Sequence, residues 1–157
     1  MNVLPSIDAC AIKLRNGATL TIASGTYVNV TANVVIDAGA ELIIEHEGSL
    51  VQIDDTAIVT NNGTITVAKK TPALGFREFS VMSSPMSAST RDVALADARI
   101  VFAHNTANFD LNTDVSAAFG DAVNFVDQTG DDRIPMETDE PLEVATGYIV
   151  IPNGPGP

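Results

Sequence analysis

The feature that most constrains this chain is an internal repeat in its first half. Gly17-Ala18-Thr19-Leu20-Thr21-Ile22 aligns with Gly39-Ala40-Glu41-Leu42-Ile43-Ile44, and a third copy starts at Gly63-Thr64-Ile65-Thr66-Val67. Two further landmarks keep nearly the same spacing. Gly25 matches Gly48, each ahead of a strand-like run (Tyr27–Val30 and Ser49–Ile53), and Val34-Val35-Ile36 matches Ala57-Ile58-Val59. Apolar residues alternate within the runs, as Leu20/Ile22, Leu42/Ile44 and Ile65/Val67, which sets them on one face of a strand. A single unit has nothing to bury that face against, whereas stacked units bury a continuous stripe. The glycines and Asn61-Asn62-Gly63 supply corners where φ can be positive. The reading is a short β-helix of about two to three coils over residues 17–70. The competing reading is a β-sandwich with evenly spaced strands. Residues 1–16 are expected to cap one end of the stack, and residues from 71 onward to cover the other.

Composition agrees with an all-β fold. Hydrophobic residues make up 45% of the 157 positions, with six Phe, two Tyr and no Trp. The core must come from Val, Ile, Leu and Ala, and the β-branched share favours strands. The net charge is −12. Nucleic acid is excluded as a partner on that ground, because binding it relies on Lys and Arg displacing counterions. No run of apolar residues is long enough to insert into a membrane. The acidity is uneven: residues 1–70 carry a net −3 and residues 71–157 a net −9, which marks two regions. Met1 to Ala11 lacks the basic start and apolar run of a signal peptide, so the chain is expected to be an internal or processed piece of a longer exported protein. The lone Cys10 forms no intrachain disulfide and is expected to be a small, partly buried apolar residue.

The second half reads as a small antiparallel β domain over residues 71–152, packed on the repeat and followed by a Pro/Gly linker at 153–157. Thr71-Pro72 closes the strand pattern of the repeat. Strands are expected at Phe76–Met82, Arg99–Phe102, Ala122–Val126 and Gly147–Pro152, with a helical turn or loop over Asp92–Ala98. Asn105–Ala117 and Asp127–Glu140 read as polar loops.

Residues 17–70 resemble the β-helical segments of large exported proteins of Bacteroidetes that leave by the type IX secretion system. The resemblance rests on Gly-Ala-x-Leu-x-Ile, on Ser49-Leu-Val-Gln-Ile-Asp-Asp55 and on Asn62-Gly-Thr-Ile-Thr-Val67. The continuation is similar too, through Phe79-Ser80-Val81-Met82-Ser83-Ser84-Pro85 and Gly147-Tyr-Ile-Val-Ile-Pro152. Such proteins often carry Trp or Tyr before Ser-Ser-Pro, where Val81 and Met82 stand here. The resemblance implies an extracellular or cell-surface location and an adhesive or scaffolding role, and it implies no catalytic residues.

The residues themselves offer few reactive constellations. There are two histidines, His46 and His104, and no Gly-x-Ser-x-Gly or His-Glu-x-x-His motif. His46 between Glu45 and Glu47 reads as a solvated strand end rather than a metal site. Asp110-Leu-Asn112-Thr-Asp114 with Asp121 is similar to the start of a calcium loop, with oxygen ligands at alternate positions, but Val115 stands where such a loop needs Gly. These four residues are the candidate metal ligands, and calcium is the one candidate cofactor. Asp127, Asp131 and Asp132 form a second acidic group. Without Trp there is little aromatic platform for sugar binding, and Glu41 and Ile43 interrupt a Thr-x-Thr array of the ice-binding kind. Asn29-Val-Thr31 and Asn62-Gly-Thr64 have the form of glycosylation sites, and Asp55-Thr56-Ala57 that of an O-glycosylation site.

The expected function is therefore a non-catalytic extracellular structural or adhesive module. Its partner would be an extracellular protein, a surface glycan or a second copy of itself. The alternatives are a self-assembling fibre subunit and a calcium-dependent or polysaccharide-binding domain.

Overall fold

A computed structural model describes residues 6–75, 78–112, 127 and 129–153. The chain divides into two compact units, Met1–Lys70 and Thr71–Pro157.

The described residues of the first unit form nine short strands in three parallel sheets. They are β1 (Ile7–Ala9), β2 (Ile12–Leu14), β3 (Thr19–Ile22), β4 (Tyr27–Val30), β5 (Val34–Ile36), β6 (Glu41–Ile44), β7 (Ser49–Gln52), β8 (Val59–Asn61) and β9 (Thr64–Val67). Consecutive strands join different sheets, and every third strand returns to the same one: β1-β4-β7, β2-β5-β8 and β3-β6-β9. The pairing is in register. Val28 lies beside Ile7 and Leu50, Val35 beside Lys13 and Thr60, and Leu42 beside Leu20 and Ile65.

Alternation within each strand sends one row of side chains inward. The inward rows of the middle circuit are Val28/Val30, Val34/Ile36 and Leu42/Ile44, all buried. They form one core with Ile22 and Ala40, against which Ile7, Ile12, Leu14, Leu20, Leu50, Ile65 and Val67 pack. Val30, Val34 and Ile36 are completely inaccessible, and each such side chain contributes roughly 1.5–3 kcal/mol of burial. Outer rows are polar or mixed and are tied across strands, as Asn29 Nδ2 donating to Asp8 Oδ1 at 2.7 Å and Lys13 Nζ to Asp37 Oδ1 at 3.4 Å.

The corners explain the glycines. At Ala23–Thr26 the Thr26 N–H donates to the Ala23 carbonyl at 3.1 Å, and Gly25 takes φ 72°. One circuit later Glu47, not a glycine, takes the equivalent left-handed position at φ 64°. Gly48 serves another purpose: a Cβ there would lie 2.7 Å from the Ile22 carbonyl oxygen.

Three expectations for this half need correcting. Residues 1–16 are expected to be a cap, yet β1 pairs with β4 and β2 with β5 in parallel, as the later strands of this unit do. Their mixed composition hides this, because Asp8, Lys13 and the short Ala9 break up the apolar signal. The match of Val34–Ile36 with Ala57–Val59 is shifted by two residues, since Val34 pairs with Val59. The turn before β8 is longer than its predecessor: the step from Tyr27 to Ser49 is 22 residues and that from Val34 to Val59 is 25. Asn33 holds the added residues, its Oδ1 accepting from the Ile58 N–H at 2.9 Å. Finally, Cys10 is exposed, because it sits at the corner between β1 and β2 rather than in a strand.

The second unit holds a four-stranded antiparallel sheet in the order β10-β13-β11-β12, made from Ser80–Met82, Tyr148–Pro152, Ala98–His104 and Arg133–Pro135. Its core is Val101, Leu142, Tyr148 and Val150, with Met82, Leu95, Ala98, Ala103 and Met136 against it. The Tyr148 hydroxyl accepts from the Glu143 N–H at 2.8 Å, which lets the phenol be buried. A single-turn helix, Arg91–Ala94, starts one residue before the expected helical turn and overlaps its first three residues. β12 lies inside the stretch expected to be a loop. Its charges and proline conceal it, and it is an edge strand, where proline is tolerated. The expected strand Ala122–Val126 and the residues Phe76 and Arg77 lie outside the described residues. No described helix is long and apolar enough to cross a membrane.

Candidate functional site

The acidic segment proposed for calcium falls partly within the described residues. Asp110 and Asn112 follow a 3₁₀ turn at Thr106–Asn108, while Asp114 and Asp121 lie outside the described residues. Two loop segments meet here through a bridge between Leu111 and Asp127. Asp127 makes this junction with its carboxylate: one oxygen accepts from the Asp110 N–H at 2.8 Å and the other from the Gly130 N–H. A carboxylate accepting two backbone N–H groups acts as a turn lock.

The neighbouring acids have separate tasks. Asp131 Oδ1 accepts from the Thr129 hydroxyl at 2.7 Å, and its carbonyl accepts from the Asn108 amide at 3.1 Å. Asp132 is buried, with Oδ2 3.2 Å from His104 Nδ1 and Oδ1 3.5 Å from Arg133 Nε. His104 and Arg133 face each other across β11 and β12, so these contacts fasten the sheet edge. An imidazole whose Nδ1 faces a carboxylate has its tautomer set by that bond. Among the described residues, no three His, Cys, Asp or Glu side chains converge as a metal site would require.

The Glu45-His46-Glu47 trio serves the stack of parallel strands. Glu45 Oε2 accepts from the Ser24 N–H and Glu47 Oε2 from the Ser24 hydroxyl, both at 3.2 Å. On the other side, His46 Nδ1 accepts from the Lys70 N–H at 3.2 Å. The three side chains thus tie their corner to the circuits before and after it. The sequon-like Asp55-Thr56-Ala57 lies in the long exposed turn before β8. There Asp54 Oδ1 accepts from the Thr56 hydroxyl at 2.7 Å and from the Thr56 N–H at 2.8 Å. The hydroxyl bond first, and the backbone bond second, hold the Asp54 carboxyl below its ordinary range.

The two ends of the stack differ, and sequence reading missed this. In the last circuit, Gln52 occupies the row of Val30 and Asn61 the row of Ile36. Gln52 Nε2 donates to the Ala32 carbonyl at 3.3 Å, and Asn61 Oδ1 accepts from the Gly63 N–H at 3.1 Å. In the first circuit, the same rows hold Ala9 and Leu14, with Ile7, Ile12, Leu20 and Ile22 in the others. The available signal was positional: Gln52 and Asn61 fall on the inward phase of their strands.

Taken together, these features define an all-β protein whose polar side chains chiefly fasten neighbouring segments. Over residues 3–154 the sequence matches the model of a family described as a domain of unknown function, DUF8693, and the chain belongs to that family. No curated protein and no solved structure matches it.

Proposed function

We propose that residues 7–67 form a three-coil β-helix and that the chain is a non-catalytic structural or adhesive module of an extracellular or cell-surface protein. The observation that carries this reading is the in-register return of every third strand to the same sheet. Such a stack is a stiff spacer, since each coil is fixed by its neighbours alone. The acidic second unit, with a net charge of −9, displays the loops that meet a protein or glycan partner. Export by the type IX route remains the reading suggested by the motifs in the repeat.

A calcium-dependent role would rest on Asp110, Asn112, Asp114 and Asp121, and thermal unfolding tests it. Calcium that binds the folded state would raise the melting temperature. An unchanged melting temperature with and without excess calcium sets that reading aside.

Location is tested on intact cells of the source organism with an antibody against this chain. Labelling before permeabilisation supports the proposal. Labelling only after permeabilisation overturns it.

A further inference from the structure

The parallel ladder between β6 and β9 ends on a side chain instead of a carbonyl. The Thr64 N–H donates to the Ala40 carbonyl at 3.0 Å, and the Ala68 N–H donates to the Ile44 carbonyl at 2.8 Å. Donors of such a ladder alternate along the strand. The next donor is therefore the Lys70 N–H, and its ladder partner would be the His46 carbonyl. The imidazole takes that place, with Nδ1 accepting from the Lys70 N–H at 3.2 Å. Lys70 is also the residue at which the first compact unit ends.

We propose that His46 is a proton-operated latch on this junction, closed when the ring is neutral and open when it is charged. The proposal goes beyond the function given above and does not depend on it. A neutral ring with its hydrogen on Nε2 offers Nδ1 as an acceptor, whereas the imidazolium carries hydrogen on both nitrogens and accepts nothing. One proton taken up at Nδ1 thus sets N–H against N–H, and the Lys70 amide must leave. Imidazole is the side chain that titrates between about pH 5 and pH 8. The bond is present above that range and is lost as the pH falls through it. The charged groups at this corner are Glu45 and Glu47 beside His46, and Lys69 and Lys70 after it. Both carboxylates hold the preceding circuit, accepting from the N–H and the hydroxyl of Ser24. Carboxylates stay ionised through the imidazole range, so those ties persist while the tie to Lys70 is switched. The inward residues of β6, Leu42 and Ile44, carry no titratable group, so the core is not part of the switch.

The test is the exchange of the Lys70 amide with water in the isotope-labelled full chain, followed by NMR alongside the His46 ring signals from about pH 8 to about pH 5. Each rate is compared with that of an unstructured chain at the same pH. Exchange at Lys70 should be about two- to tenfold slower than the reference while the ring is neutral. That slowing should vanish in step with ring protonation, with the β4–β6 amides protected throughout. His46→Ala should lack the slowing at every pH, and His46→Asn should show no response to pH across the range. Slowing that does not follow the ring titration overturns the proposal, and so does slowing that survives in His46→Ala. A pH response in His46→Asn like that of the unaltered chain overturns it too. Loss of protection at β4–β6 together with Lys70 would mean that the stack opens as a whole, which also contradicts a latch.

Discussion

Gly48 lies directly against Ile22 of the preceding circuit: a Cβ added to Gly48 would sit 2.7 Å from the Ile22 carbonyl oxygen. That oxygen already accepts from the Glu45 N–H at 3.0 Å, so it is fixed in place. Gly48→Ala must push two circuits apart. Overpacking of this kind costs roughly 1–3 kcal/mol, and a urea titration of the variant reads it. An unchanged midpoint would mean that the circuits are not in this contact.

The core predicts a gradient along the stack. Ile36, fully buried in the middle circuit, should lose about 2–5 kcal/mol on change to Ala. Ile53 is 60% exposed in the long turn, and its change to Ala should stay within about 0.5 kcal/mol of neutral. Equal costs at the two positions would contradict the burial pattern.

Tyr148→Phe removes the acceptor of the Glu143 N–H. Leaving a part-buried donor unpaired costs about 1–3 kcal/mol. Loss should appear as a lower melting temperature, with the first unit's β4–β6 amides still protected from exchange.

Asp54 gives a pH-dependent contribution with a definite sign. Its folded pKa lies below the ordinary carboxylate value, chiefly through the Thr56 hydroxyl. The stabilising effect is therefore complete above the ordinary carboxylate range and is lost as pH falls through the lowered value. An NMR titration should find Asp54 below that range, and Thr56→Ala should move it upward. No movement would show that the hydroxyl is not the cause.

Gln52 and Asn61 are predicted to keep the last circuit from stacking. Gln52→Val combined with Asn61→Ile makes that end apolar and leaves its strand edges open. The double variant should form assemblies larger than the unaltered chain does, seen by light scattering at matched concentration. Unchanged mass would remove the role assigned to these amides.

Much of this architecture was legible in the sequence, for a physical reason. Leu20/Ile22, Leu42/Ile44 and Ile65/Val67 repeat because each must fill the same row, and that row is one sheet in the structure. β1 and β2 were hidden because they carry charges such as Asp8 and Lys13. Spacing misled where a turn lengthens, so Val34 was matched two residues short of its partner Val59. The equivalence of Gly25 and Gly48 was off by one, because Glu47 takes the left-handed corner position and Gly48 makes the close contact. At the acidic loop, composition suggested ligands. Whether a carboxylate turns outward or closes its own loop, as Asp127 does, depends on distances that spacing does not carry.

The central claim is the parallel, in-register stack. It is tested most directly by inter-strand nuclear Overhauser effects in the isotope-labelled chain. The account predicts that Val35 shows contacts both to Lys13 and to Thr60, one circuit before and one after. Contacts from Val35 to a neighbouring strand in antiparallel order, as in a β-sandwich, would contradict it.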